Sequence, residues 1–148
     1  ALDVSVQAAI VNLLGDLMEA SHLSLVIISH DLALVRHMAD WIAVMYLGRV
    51  VEYGPARSVL APPLHPYTEA LLAAAPRPDP DAGPPPIVLS GTMPSPTAAL
   101  AGCPFASRCH RKIGAICEES APPVRTTGLH TIACHHELAE LSSTRVAT

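Results

Sequence analysis

The chain has 148 residues, a formal net charge of −4 and 50% hydrophobic side chains, of which few are aromatic (3% of all residues). That size fits one ordinary domain, and the mild acidity argues against non-specific nucleic-acid binding. No apolar run reaches the roughly 18 residues of a membrane span, and no basic stretch leads into an apolar one as in a secretory signal, so a soluble, cytosolic chain is expected.

The chain begins with Ala1 rather than methionine, as a fragment or a processed product would. Asp3 or Ser5 can cap a helix running to about Ala20. Val6, Ile10, Leu13, Leu14 and Leu17 fall on one face of it and predict a buried stripe. Leu23–Ser29 is a short, β-branched apolar run and predicts a buried parallel strand. Ser29-His30-Asp31 follows, with Asp31 positioned to cap a helix over about Leu32–Ala39. This puts the His30 imidazole at the carboxyl end of a strand, the edge where open α/β sheets bind ligands and helix N-termini meet phosphates. A lone histidine there is more often structural. His22 and His37 have no motif around them and read as surface or groove residues.

Trp41–Tyr53 reads as a hairpin turning at Gly48 and closed by Gly54-Pro55. Ala56–Leu60 predicts a short helix. Pro66 suits the first turn of a helix through Ala73. Residues 76–96 hold eight of the fifteen prolines and predict a semi-extended connector, with a short strand possible at Ile87–Leu89. From Gly102 to His136 there is no sustained periodicity, which predicts a small irregular module with little core of its own.

Two groups of residues resemble a known family. Ala1-Leu2-Asp3, the 27-residue step to His30, and Tyr46-Leu47-Gly48-Arg49-Val50-Val51-Glu52-Tyr53-Gly54 resemble, in order, the tail half of an ABC-transporter ATPase. The resemblance implies that Ala1, Leu2 and Asp3 are the D-loop at a dimer interface, although Asp3 taken alone reads better as a helix cap. It implies that His30 is the switch histidine. Its imidazole would contact the γ-phosphate of ATP and orient the attacking water. The family's phosphate loop has no counterpart here: Lys112 is the one lysine, and no G-x-x-x-x-G-K-[ST] occurs. The signature motif and the Walker B carboxylates are likewise absent, so the chain alone is expected to be inactive.

His65-Pro66-Tyr67-Thr68-Glu69-Ala70-Leu71-Leu72 resembles the opening of the C-terminal extension of oligopeptide and dipeptide importer ATPases. Pro94-Ser95-Pro96, Gly102-Cys103-Pro104-Phe105, Arg108-Cys109, Cys117 and Ala133-Cys134-His135 continue that extension in order. No chemistry is evident for the His65–Thr68 stretch beyond starting a helix.

The four cysteines, spaced C-x5-C-x7-C-x16-C, read as a metal site, two disulfides or free thiols. A reducing cytosol disfavours disulfides. Zinc usually shows C-x2–4-C knuckles, absent here, although His110, His135 or His136 could serve as ligands. Long uneven loops suit a thiolate-ligated iron–sulfur cluster better, and Arg108, Arg111 and Lys112 lie beside the candidate ligands Cys103, Cys109, Cys117 and Cys134. The family resemblance also implies a 4Fe-4S cluster in this extension. A structural role for it, stapling a module that lacks a core, is favoured over redox sensing.

The expected architecture is α/β: the C-terminal part of a P-loop NTPase domain of ABC type (1–75), a Pro-rich linker (76–96), a Cys-rich module (97–140) and a tail (141–148). The resemblance implies use of ATP with Mg by the complete domain. It also implies a second ABC ATPase domain as homo- or heterodimer partner, transmembrane permease subunits, and an extracytoplasmic solute-binding protein acting indirectly, with no nucleic acid. It places the subunit peripherally on the cytoplasmic face of the membrane, driving uptake of dipeptides or oligopeptides. Three alternatives remain: an importer for nickel or another small solute, a stand-alone metal-binding interaction module, and a remnant of a broken gene.

Overall fold

A computed structural model of the chain describes residues 4–62, 64–75 and 101–142, with Ile87, Leu89, Gly91 and Ser95 singly. Ala1, Leu2 and Asp3, most of the expected linker including Val88, and residues 143–148 lie outside the described residues. The chain divides into two units, Ala1–Asp40 and Trp41–Thr148.

The first unit holds helix α1, Val4–Ser21, and helix α2, Leu32–Met38. Asp31 caps α2 as its sequence position predicts: the Oδ1 atom accepts from the N–H groups of Ala33 (2.9 Å) and Leu34 (3.3 Å). Two expectations are corrected here. Residues 23–29 form no strand. A strand exists through its ladder, and residues 4–40 contain no second strand to pair with. The apolar stripe of α1 is not buried either: Val6, Ile10, Leu13 and Leu17 are exposed. One seven-residue helix offers too little surface to cover it.

The second unit is built on a sheet. Strands β1, Trp41–Tyr46, and β2, Arg49–Pro55, pair antiparallel as the expected hairpin. Leu47 and Gly48 both take positive φ, 46° and 74°. That is the two-residue turn whose twist matches the flanking strands, and glycine enters it without a Cβ penalty. A bulge follows, because Val44 pairs with Glu52 and Met45 with Val50. It interrupts the in–out alternation, and Val51 and Glu52 are both buried as a result.

After β2 come α3, Ala56–Val59, and α4, Pro66–Ala74. A 3-10 turn, Ala106–Arg108, and α5, Ile116–Glu119, carry the Cys-rich stretch. Strands β3, Val124–Thr127, and β4, His130–Ala133, form a second hairpin, and α6, Leu138–Ser142, follows it.

The sheet order is β1-β2-β4-β3, with Glu52 opposite Ile132 and Tyr53 opposite Thr131. The Cys-rich stretch is therefore continuous with the Trp41–Pro55 hairpin through main-chain pairing. Gly54 permits the pairing: a Cβ there would lie 3.1 Å from the Cα of His130.

The described core follows from this pairing. Phe105 is fully buried. It meets Tyr46 edge-on at 5.2 Å between centroids and Tyr67 at 5.2 Å and 52°. Val44, Leu47, Val51, Leu89, Cys103 and Cys109 complete this cluster, and a second one gathers Ile132, Cys134, Leu138 and Leu141. Three of the four thiols are thus packed into the two clusters.

Below the sheet lies a buried polar knot. Glu52, 1% exposed, accepts from the His65 backbone N–H at 3.1 Å through Oε2 and pairs with His130 Nε2 at 2.7 Å through Oε1. Both carboxylate oxygens are engaged, as burial of a charge requires.

Candidate functional site

The thiols sit where loops meet the ends of regular elements. Cys103 and Cys109 flank Phe105 and the 3-10 turn, Cys117 lies in the short helix α5, and Cys134 immediately follows β4. Gly102 brings two of these segments together. A Cβ on it would lie 2.5 Å from the Glu118 carbonyl carbon. Its absence lets the loop close until the Cys103 N–H donates to the Cys117 carbonyl at 2.8 Å.

No disulfide joins the four cysteines. All six pairs among them nevertheless feel one another electrostatically. Burial pushes the Cys103 and Cys134 thiols up and raises Cys109 to about 12, with the neighbouring thiols adding to the effect. Main-chain N–H groups oppose the shift. Phe105 and Ala106 serve Cys103, Arg111 serves Cys109, and His135 and His136 serve Cys134. Arg111 also favours the Cys134 thiolate. The pocket disfavours uncompensated negative charge while holding donors ready for sulfur anions. Among the described residues no three His, Cys, Asp or Glu side chains converge closely enough to hold a single metal ion.

The three histidines considered as ligands have protein partners. His110 Nε2 lies 3.1 Å from Glu69 Oε2. His135 donates through Nε2 to the Ser120 carbonyl at 3.0 Å. His136 donates through Nε2 to the Arg111 carbonyl at 2.6 Å, and its Nδ1 meets Glu140 at 3.0 Å.

His30 belongs to the first unit. It is exposed, one residue before the N-cap of α2. The Asp31 N–H donates to Ser29 Oγ at 3.0 Å and shapes the backbone around it. The D-loop residues expected beside it, Ala1, Leu2 and Asp3, lie outside the described residues.

Comparison with known proteins decides the family. Residues 51–117 match the family of the oligopeptide/dipeptide transporter C-terminal region. The chain belongs to that family. A dipeptide transport ATP-binding protein of Escherichia coli is 48% identical over 134 residues, covering 90% of this chain and 40% of that protein. A di/tripeptide transport ATP-binding protein of Pseudomonas aeruginosa is 46% identical over 136 residues, covering 92% of this chain and 42% of that protein. The chain thus spans about two-fifths of the length of the curated relatives it matches. The relatives are ATP-binding proteins of transporters, and no helix among the described residues is long and apolar enough to cross a membrane.

Sequence reasoning singled out the cysteines but missed most of the polar side chains around them. Glu52, Glu69 and Arg125 carry no signal that announces burial or partnership, whereas Arg111 is marked by its place beside Cys109. Arg125 donates to the Cys134 carbonyl at 2.6 Å and to Glu137 at 2.6 Å. Two motif matches were available, with Glu52 inside the Tyr46–Gly54 match and Glu69 inside the His65–Leu72 match, and neither carries an evident chemistry in the sequence.

The raised thiols predict slow chemistry in the metal-free fold. At pH 8 the Cys109 thiolate fraction is about three orders of magnitude below that of an ordinary cysteine, since the thiol lies near 12 instead of 9.0. In chelator-treated chain, alkylation of Cys109 should be slower than in urea-unfolded chain by at least about a hundredfold, and should climb roughly tenfold per pH unit. Mass spectrometry of the alkylated peptides reads this directly. Equal rates in the folded and unfolded chain would contradict the buried placement of Cys109.

Proposed function

We propose that this chain is the C-terminal part of the ATP-binding subunit of an ABC importer for dipeptides or oligopeptides. The observation that carries the reading is the identity to peptide-transport ATP-binding proteins over about nine-tenths of the chain. The complete subunit has the P-loop NTPase fold, binds ATP with Mg, pairs with a second ATPase domain and drives transmembrane permease subunits from the cytoplasmic face. A solute-binding protein delivers the peptide on the other side.

In this reading His30 is the switch histidine. Its exposure ahead of a capped helix supports the role, because an imidazole that must reach a phosphate cannot be packed away. A nitrogen of the ring would donate to a γ-phosphoryl oxygen as charge redistributes, and so orient the attacking water. Ala1, Leu2 and Asp3 act as the D-loop, linking the two nucleotide sites across the dimer. The 148-residue chain alone has no phosphate loop and should not hydrolyse ATP.

The four thiols are proposed to hold a 4Fe-4S cluster, with zinc the weaker reading. What supports the reading is that the four thiols lie close enough to act on one another electrostatically and that main-chain N–H groups stand by three of the four sulfurs, as thiolate ligation needs. Cys103, Cys109, Cys117 and Cys134 would be the ligands, and the group would supply cross-links between their segments. The histidine engagements described above favour an all-thiolate set.

In the longer subunit, His30→Ala should lower ATP hydrolysis at least tenfold while ATP binding persists. Full hydrolysis in that variant would remove the switch role. Anaerobically purified chain should contain iron and acid-labile sulfide in equal amounts, whereas zinc alone would overturn the cluster.

A further inference from the structure

We propose that His65, Tyr67 and Glu69, at the start of α4, form a three-point grip that holds the thiol-bearing segments in position, and that this is the role of the otherwise unassigned His65–Glu69 motif. The proposal extends the thiol-site reading above, but it rests on contacts within the protein itself.

Each of the three residues reaches a different segment. His65 is the N-cap of α4, and its Nδ1 accepts from the Tyr67 N–H at 3.1 Å. That fixes the tautomer, so Nε2 carries the hydrogen and donates to the carbonyl of Ala133, the residue before Cys134. The ring is buried, 1% exposed, so this bond has no water to compete with it. Tyr67 packs against Phe105, which stands between Cys103 and Cys109 with both thiols against the same cluster. Glu69 is also buried. Its Oε2 lies 3.1 Å from His110 and 3.7 Å from Arg111, the two residues after Cys109. Arg111 extends the hold: its guanidinium donates to the Glu140 carbonyl at 2.8 Å, and its own carbonyl accepts from His136.

Pro66 makes the grip stiff. It is buried at the first helical position, where its ring fixes φ and the missing N–H is no loss. A single short helix start thereby touches the segments of Cys103, Cys109 and Cys134. Cys117 stands apart from it, tied through Cys103 and Gly102 instead.

The arrangement predicts residue-selective release. The whole chain would be treated with a chelator and alkylated under native conditions, and the rate at each cysteine read by mass spectrometry. His65→Asn keeps a helix cap but cannot reach Ala133, so Cys134 should react at least tenfold faster while Cys117 changes little. His65→Gln restores the reach and should restore most of the protection. Glu69→Ala should release Cys109 at least tenfold and leave Cys134 less affected. Val59→Ala, in a buried site of α3, supplies general destabilisation for comparison. If all four thiols accelerate together in every variant, as in Val59→Ala, the grip is only ordinary core and the proposal fails. It fails equally if no thiol changes. Iron and sulfide content of the untreated wild-type chain is a separate readout: their absence overturns the cluster, while the alkylation pattern still decides the grip.

Discussion

The buried carboxylate of Glu52 is the interaction on which the second unit depends. It lies in β2, yet its two oxygens serve the backbone of His65 and the ring of His130, segments 13 and 78 residues away. Removing water from a carboxylate costs several kcal/mol, and the structure offsets this by giving each oxygen a donor. The bulge at Val51 is what aims the side chain inward. Without it, strict alternation would set Val51 and Glu52 on opposite faces, and one of the two would leave the interior.

From that knot the thiol pocket follows. Once His130 is held, β4 lies along β2, and Cys134 emerges at its end. Once His65 is held, α4 starts where Tyr67 and Glu69 meet the loops of Cys103 and Cys109. The Cys-rich stretch has only the small cluster around Ile132 and Leu141 of its own, and the hairpin adds to it by packing Tyr46 and Val51 with Phe105. Bound metal would then add to a site already assembled by packing, with the protons of raised thiols released on binding. Under the proposed thiolate ligation, folding energy and site geometry would be shared between protein and cofactor.

Much of the local structure was legible in the sequence, because it is set by local chemistry. The Asp31 cap, the Gly48 turn and Pro66 at a helix start are decided within a few residues, and each appears where it was expected. The strand at 23–29 was not formed, since an apolar run becomes a strand only with a partner to pair with. The β3–β4 hairpin was missed although Val124–Thr127 and His130–Ala133 are β-prone and flank a two-residue turn opening with Gly128. Surrounding cysteines and irregular loops obscured it. Glu52 was unreadable as a buried residue, because a glutamate beside a turn normally faces water. The four cysteines were legible as candidates, but their mutual proximity came only from the sheet that crosses a proline-rich connector.

The Trp41–Pro55 hairpin and the Cys-rich stretch thus form one cooperative structure locked by Glu52. Native-state hydrogen exchange tests this most directly, on the wild-type chain and on Glu52→Ala. Amides of Tyr53, Ile132 and the Cys103–Cys109 loop should open with one common free energy, and Glu52→Ala should lower it for all of them by about 3–5 kcal/mol. Independent opening of β4 and the loop, unchanged by Glu52→Ala, would contradict the claim.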